Sequence, residues 1–214
     1  MKLLNLSHFR PQFFSKITKF LKTFILGVII GATLAGGVIL NIRHEQKIQA
    51  EQLHQQQVAA EKLVQLKNEA ALDTTANIIK RDGKLSLATA KKYATWIYEA
   101  GLKYNVDPLL ILSVMSVESG FKHNAVSPTG PIGLLQIAAS WHREKTTKAA
   151  LYNPRHNIYV GTQILREYVD RSSSEKEALL RYNGSLGKSS VYAVKVLSKK
   201  TRYESEIQNA VRDI

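Results

Sequence analysis

Residues 109–121 read LLILSVMSVESGF. Only Ser113, Ser116 and Ser119 interrupt the apolar run before Glu118 and Gly120. A helix that is apolar nearly all round is a buried one. Asp107-Pro108 starts it, with an aspartate able to accept backbone N–H groups as N-cap and a proline that loses nothing at the first helical position. Gly120 supplies a left-handed stop. Glu118 lies seven residues after Ile111 and four after Val114, so it shares their face. Desolvation there disfavours the ionised carboxyl, and the helix C-terminus adds negative potential, so this glutamate is a candidate general acid. The competing reading of the same residues is a helix-end glutamate paired with Lys122, and this segment alone leaves the two level.

The rest of residues 80–214 reads as helices separated by short turns. Residues 85–105 and 153–171 are amphipathic, 174–182 is short, and 189 to about 213 closes the chain. Strand signals are almost absent, which predicts an all-α domain. Its 21 basic and 12 acidic side chains give it +9 of the chain's +13 net charge. Such an excess favours an anionic partner. There is no cysteine among the 214 residues, which excludes a disulfide scaffold, a thiol nucleophile and thiolate zinc sites. The six histidines have no metal-ligand spacing, so no metal and no cofactor is expected. The basic residues are dispersed without a recognition motif, so no nucleic-acid partner is expected.

The N-terminal third is organised differently. Residues 1–23 hold five basic residues and no acid, and residues 24–42 are uncharged and near the ~20 residues a membrane-spanning helix needs. A cleaved signal peptide is the competing reading, with small residues around Thr33-Leu34-Ala35. The long basic flank and the direct passage into a polar helical segment favour an uncleaved anchor. By the positive-inside rule the tail at 1–23 is cytoplasmic, and everything after residue 42 lies across the membrane. Residues 43–82, rich in Gln, Glu, Ala and Lys, read as a helical stalk or linker, since Ile48, Leu53, Val58, Leu63 and Leu66 hold no heptad. The expected catalytic domain is then 83–214.

Three segments after residue 117 act together. Glu118-Ser119 ends a helix, SPTGPIGLLQI follows at 127–137, and ALLRYNG lies at 178–184. In order and spacing these resemble the signatures of the lysozyme-like lytic transglycosylases: Glu-Ser, then Ser-Pro-x-Gly-x-x-Gly-Leu-x-Gln, then Ala-x-x-x-Tyr-Asn. NIYVGTQIL at 157–165 is similar to the helix between the second and third, and the resemblance runs from roughly Leu87 to Arg202 through the final helix VYAVKVL. It implies a lysozyme-like helical fold of the soluble lytic transglycosylase type. It also implies cleavage of the β-1,4 bond between N-acetylmuramic acid and N-acetylglucosamine in peptidoglycan. Carried over by position, Glu118 is the single acid and base, Ser127 and Gln136 are polar groups flanking the glutamate and the sugars, and Tyr182 with Asn183 belongs to the substrate site. The chain departs from the pattern at Leu135-Gln136-Ile137-Ala138, where the family commonly has Met-Gln-Ile-Met.

The residues themselves carry part of this. Ordinary glycoside hydrolysis uses two carboxyl groups, yet no Asp or Glu lies between Ser119 and Arg143. A one-carboxylate site suits a substrate that supplies its own nucleophile. By themselves Ser127 to Gly133 are turn chemistry and Asn183-Gly184 is a helix cap. Gln136 among apolar neighbours wants hydrogen-bond partners, and Trp141 stands as a default aromatic with sugar stacking as its alternative. The expected setting is a bacterial inner membrane with the domain on the periplasmic side. Peptidoglycan strands are the expected partner, and an envelope-spanning apparatus would suit the architecture. Two other readings remain: a non-catalytic wall-docking module, and a hydrolytic muramidase resembling goose-type lysozymes.

Overall fold

The computed structural model describes residues 11–212 and 214, with side chains from residue 19. Residues 1–10 of the expected basic tail, and Asp213, lie outside the described residues. Six helices and one 3₁₀ turn are present among the described residues: α1 (Pro11–Gly83), α2 (Leu87–Tyr104), α3 (Pro108–Glu118), the turn Ala150–Tyr152, α4 (Pro154–Asp170), α5 (Glu175–Tyr182) and α6 (Val191–Arg212). The all-α expectation holds. Among the described residues, extended structure is limited to two isolated bridges, Val126 to Ile132 and Ile132 to Ile137.

The chain divides into two compact units, Met1–Glu61 and Lys62–Ile214. In the first, α1 carries the uncharged segment, which is long and apolar enough to cross a membrane. Its large side chains, Phe24, Ile29 and Leu34 among them, are exposed. An apolar helix with no protein face to bury against suits lipid as its solvent.

In the second unit the last turns of α1 belong to the core. The sequence placed residues up to 82 in a stalk, but Thr75, Ala76, Ile78 and Ile79 are buried. Two adjacent pairs three apart make a short apolar stripe on one helix face, which is easily overlooked among polar neighbours. Each isoleucine removed from water contributes about 2 kcal/mol, so the stripe is a substantial attachment.

Local signals set the helix ends. Ser86 caps α2, Asp107 caps α3 through Leu109 N–H at 2.8 Å, Asn153 caps α4 through His156 N–H, and Ser174 caps α5. Pro108 and Pro154 occupy first-turn positions where a missing donor costs nothing. α3 is the central element: Leu110 to Met115 are all buried, packed among α2, α6 and the loop that follows. Tyr203 of α6, fully buried, accepts a 2.8 Å hydrogen bond from Ser116 and donates to Asp82 at 2.7 Å. That chain of polar contacts joins α1, α6 and α3 inside the unit.

Candidate active site

The end of α3 is held open by its backbone. Glu118 is the last helical residue, Ser119 is the C-cap, and Gly120 (φ +56°) and Phe121 (φ +67°) both take left-handed conformations. For Phe121 that conformation costs about 1–2 kcal/mol, and full burial of its ring contributes about 2–3 kcal/mol. Burial wins, and the chain turns sharply away from the carboxyl it has just placed.

Glu118 is half-buried, and desolvation pushes its pKa above the ordinary carboxylate range. One hydrogen bond opposes this: Tyr192 Oη donates to Glu118 Oε1 at 2.6 Å, favouring the charged form. No ion pair to Glu118 forms among the described residues, so the pairing with Lys122 is not made. Oε2 has no protein partner among the described residues, yet it is not a buried orphan. It is therefore open to the cavity that Glu118 lines.

That cavity holds about 340 Å³. Its walls include Glu118, Ser127, Gln136, Tyr182 and Asn183, so all five residues singled out in the sequence meet at one place. Thr129, Ala138, Trp141, His142 and Tyr168 complete much of the remainder. Glu118 is the sole carboxyl on these walls among the described residues. Burial lowers the His142 pKa, with Glu144 and Glu167 opposing and Lys145 reinforcing the shift, so its ring is neutral near neutral pH.

The floor is the loop 127–137, bolted in place from three directions. Ser119 Oγ donates to Leu134 O at 2.8 Å, and Tyr182 Oη donates to Leu135 O at 2.7 Å. Asn157 of α4, fully buried, accepts from Leu135 N–H at 2.9 Å and donates through Nδ2 to Ile132 O and Leu151 O. Gly133 (φ +83°) must be glycine twice over: its conformation is left-handed, and a Cβ would stand 2.1 Å from Asn157 Nδ2. α4 comes equally close at Gly161, where a Cβ would meet Leu135 Cδ1 at 2.5 Å.

The individual roles differ in kind. Gln136 is half-buried in a left-handed conformation (φ +48°), and its Nε2 donates to Gly133 O at 2.9 Å and Ala125 O at 3.2 Å. Its amide N–H groups are thus directed at the loop, and the carbonyl end is what remains for a ligand. Tyr182 packs edge-on to Tyr168 (79°, centroids 6.1 Å apart) and fixes the floor rather than the glutamate. Burial, with the Glu118 charge adding to it, holds its hydroxyl well above the usual phenol range. Ser127 is partly exposed beside Thr129, and Asn183 is the exposed C-cap of α5.

The sequence reading passed over Tyr192 and Asn157. Tyr192 lies on the α6 face that carries buried Val196 and Tyr203, at i, i+4 and i+11, so a stripe facing α3 was present to be read. Asn157 offered only an asparagine in the first turn of a helix, the commonest of polar positions.

A single glutamate at a buried helix end, over a floor built from the Ser-Pro to Gln loop, is joined by sequence comparison. The family described as transglycosylase SLT domain matches residues 95–205, just over half of the chain. The chain belongs to this family. The matched span includes α3, the floor loop, α4, α5 and most of α6, every element that builds the SLT cavity. A transglycosylase of Enterobacteria phage PRD1 is 36% identical over 85 residues, covering 40% of this chain and 32% of the phage protein. The chain therefore aligns with about a third of that relative's length.

Proposed function

We propose that the protein is a membrane-anchored peptidoglycan lytic transglycosylase in which Glu118 acts first as acid and then as base. The observation that carries this reading is the lone desolvated carboxyl at the end of α3, with one oxygen held by Tyr192 and the other open to the cavity. A carboxyl whose pKa is raised by burial holds its proton to higher pH than a free one, which suits it to protonate the glycosidic oxygen.

The reaction conserves atoms without water. Glu118 protonates the oxygen between N-acetylmuramic acid C1 and N-acetylglucosamine C4, the C1–O bond breaks, and the glucosamine-ended strand leaves with that proton. Positive charge develops at C1. The Glu118 carboxylate then takes the proton from the muramoyl 6-hydroxyl as O6 bonds to C1, closing a 1,6-anhydro ring and restoring the acid. Tyr192 stabilises the carboxylate between these steps, and the rigid floor fixes the sugar against it. Ser127, the Gln136 carbonyl and Asn183 provide hydrogen-bonding edges for sugar hydroxyl and acetamido groups, while Tyr182 holds the floor.

The setting follows from the N-terminal part. Residues 24–42 would span a bacterial inner membrane once, with the basic tail at 1–23 cytoplasmic and a helical tether carrying the catalytic domain on the periplasmic side. The +9 charge of residues 80–214 suits an acidic wall polymer. An envelope-spanning apparatus that needs a local opening in the wall is a natural user of such an anchored enzyme.

Zymography on purified peptidoglycan tests the activity. Wild type should give a clearing band that Glu118→Gln abolishes. A band that survives the substitution removes Glu118 from the mechanism, and no wild-type band favours a wall-docking module.

A further inference from the structure

The cavity wall beyond the glutamate has an unusual composition. Ala138, which lines it, offers a methyl group only, and three residues later Trp141 lines it too while remaining 75% exposed. A turn joins them: Trp141 N–H donates to Ala138 O at 3.0 Å, which folds the larger residue back beside the smaller one. Lone exposed apolar residues on a protein surface need no explanation. This one stands on the wall of the cavity that holds Glu118, next to the hydrogen-bonding edges of Ser140 and His142.

We infer that Trp141 is a stacking platform for a pyranose ring of the glycan strand, forming a binding subsite that compensates for the small side chain at Ala138. The inference rests on the function proposed above. A pyranose has an apolar C–H face and a rim of hydroxyls, so it needs a flat apolar surface bordered by polar groups. The indole provides the first. Ser140, exposed, and His142, neutral through burial, provide the second. Neither Tyr168 nor Tyr182 can take this part, because they pack against each other and Tyr182 is committed to Leu135 O.

The chain has two tryptophans, and the other, Trp96, is packed half-buried against Tyr93 in the core. Acrylamide quenching of the full-length protein therefore reads chiefly Trp141. In detergent-solubilised Glu118→Gln protein, which would bind without cleaving, peptide-free glycan strands of alternating N-acetylglucosamine and N-acetylmuramic acid should shield that fluorescence. Trp141→Ala in the same background should weaken strand binding about tenfold, and Trp141→Phe about twofold or less. In the active enzyme Trp141→Ala should raise KM for strands by a similar factor with kcat little changed. Strands that bind Glu118→Gln while Trp141 stays fully quenchable, or bind Trp141→Ala as tightly, overturn the platform and leave the proposed function standing. Absence of strand binding by any variant overturns both.

Discussion

Tyr192 Oη stands 2.6 Å from Glu118 Oε1, although 74 residues separate them in the chain. α6 brings the hydroxyl to the end of α3, and its burial, with the Glu118 charge, holds its own pKa far above the phenol range. The tyrosine is therefore a permanent donor. In the proposed mechanism it would stabilise the carboxylate that remains after a proton has left and leave Oε2 to do the transferring.

Tyr192→Phe removes that donor without emptying the site. A hydrogen bond to a charged group contributes about 1.5–3 kcal/mol, so kcat should fall roughly ten- to a hundredfold. The Tyr192 bond lowers the Glu118 pKa, so its loss raises that pKa further. Activity that needs the protonated acid is lost as pH rises through the Glu118 pKa, and the basic limb of the pH–rate profile should move to higher pH in the variant. An unmoved limb would mean that Tyr192 does not act on the glutamate.

Glu118→Gln should stabilise the folded protein at neutral pH. The folded-state pKa of Glu118 lies above its unfolded value, so folding is disfavoured once pH rises above the unfolded value and ionisation must be suppressed or endured in a desolvated place. Below the unfolded carboxylate range both forms are neutral and the advantage disappears. Thermal melts across pH should show the variant's Tm above wild type at neutrality and the two converging in acid. Loss of activity in the same variant should be about a hundredfold or more, as removal of a general acid requires.

Asn157→Ala should damage the site without touching the cavity. It would leave Leu135 N–H and the Leu151 carbonyl without their buried partner, while the Ile132 carbonyl keeps Ile137 N–H at 3.0 Å. Each orphaned group costs about 1–3 kcal/mol, so a loss of about 3 kcal/mol in urea unfolding is expected. kcat should fall with it because the floor under Leu135 and Gln136 loosens. Gly133→Ala, which drives a methyl into Asn157, should be at least as severe.

Asp82 ties α1 to α6. Burial alone would raise its pKa, but hydrogen bonds from Arg81 and Tyr203 and the charges of Arg81 and Arg202 outweigh it and hold the group at about 2. A carboxyl depressed in the folded state contributes stability above its unfolded pKa and loses it as pH falls through the folded one. Asp82→Asn should therefore cost about 2 kcal/mol near neutrality, and the cost should shrink as pH is lowered towards about 2. The measurement is the pH dependence of unfolding in the two proteins.

What could be read from the sequence was whatever rests on neighbours along the chain. The cap at Asp107 and the stop at Gly120 depend on residues within one turn, and α3 begins and ends where those signals put it. Glu118, Ser127, Gln136, Tyr182 and Asn183 were singled out together through the resemblance of three spaced motifs to a known family, and they line one cavity. Tyr192 and Asn157 escaped because their partners lie 74 and 22 residues away, across contacts that only the packing of α6 and α4 creates. The burial of residues 75–79, at the end of the segment read as a stalk or linker, was hidden for a related reason. The stripe is short and its partners lie elsewhere in the chain, Tyr98 against Thr75 among them.

The central claim is that one carboxyl, with no second on the cavity wall, drives ring closure by the substrate itself. The most direct test is mass spectrometry of the products formed by the full-length enzyme from glycan strands in heavy-oxygen water. The account predicts 1,6-anhydromuramoyl ends that carry no heavy oxygen and that vanish with Glu118→Gln. Reducing muramoyl ends carrying one solvent oxygen would contradict it and would make the protein a hydrolase.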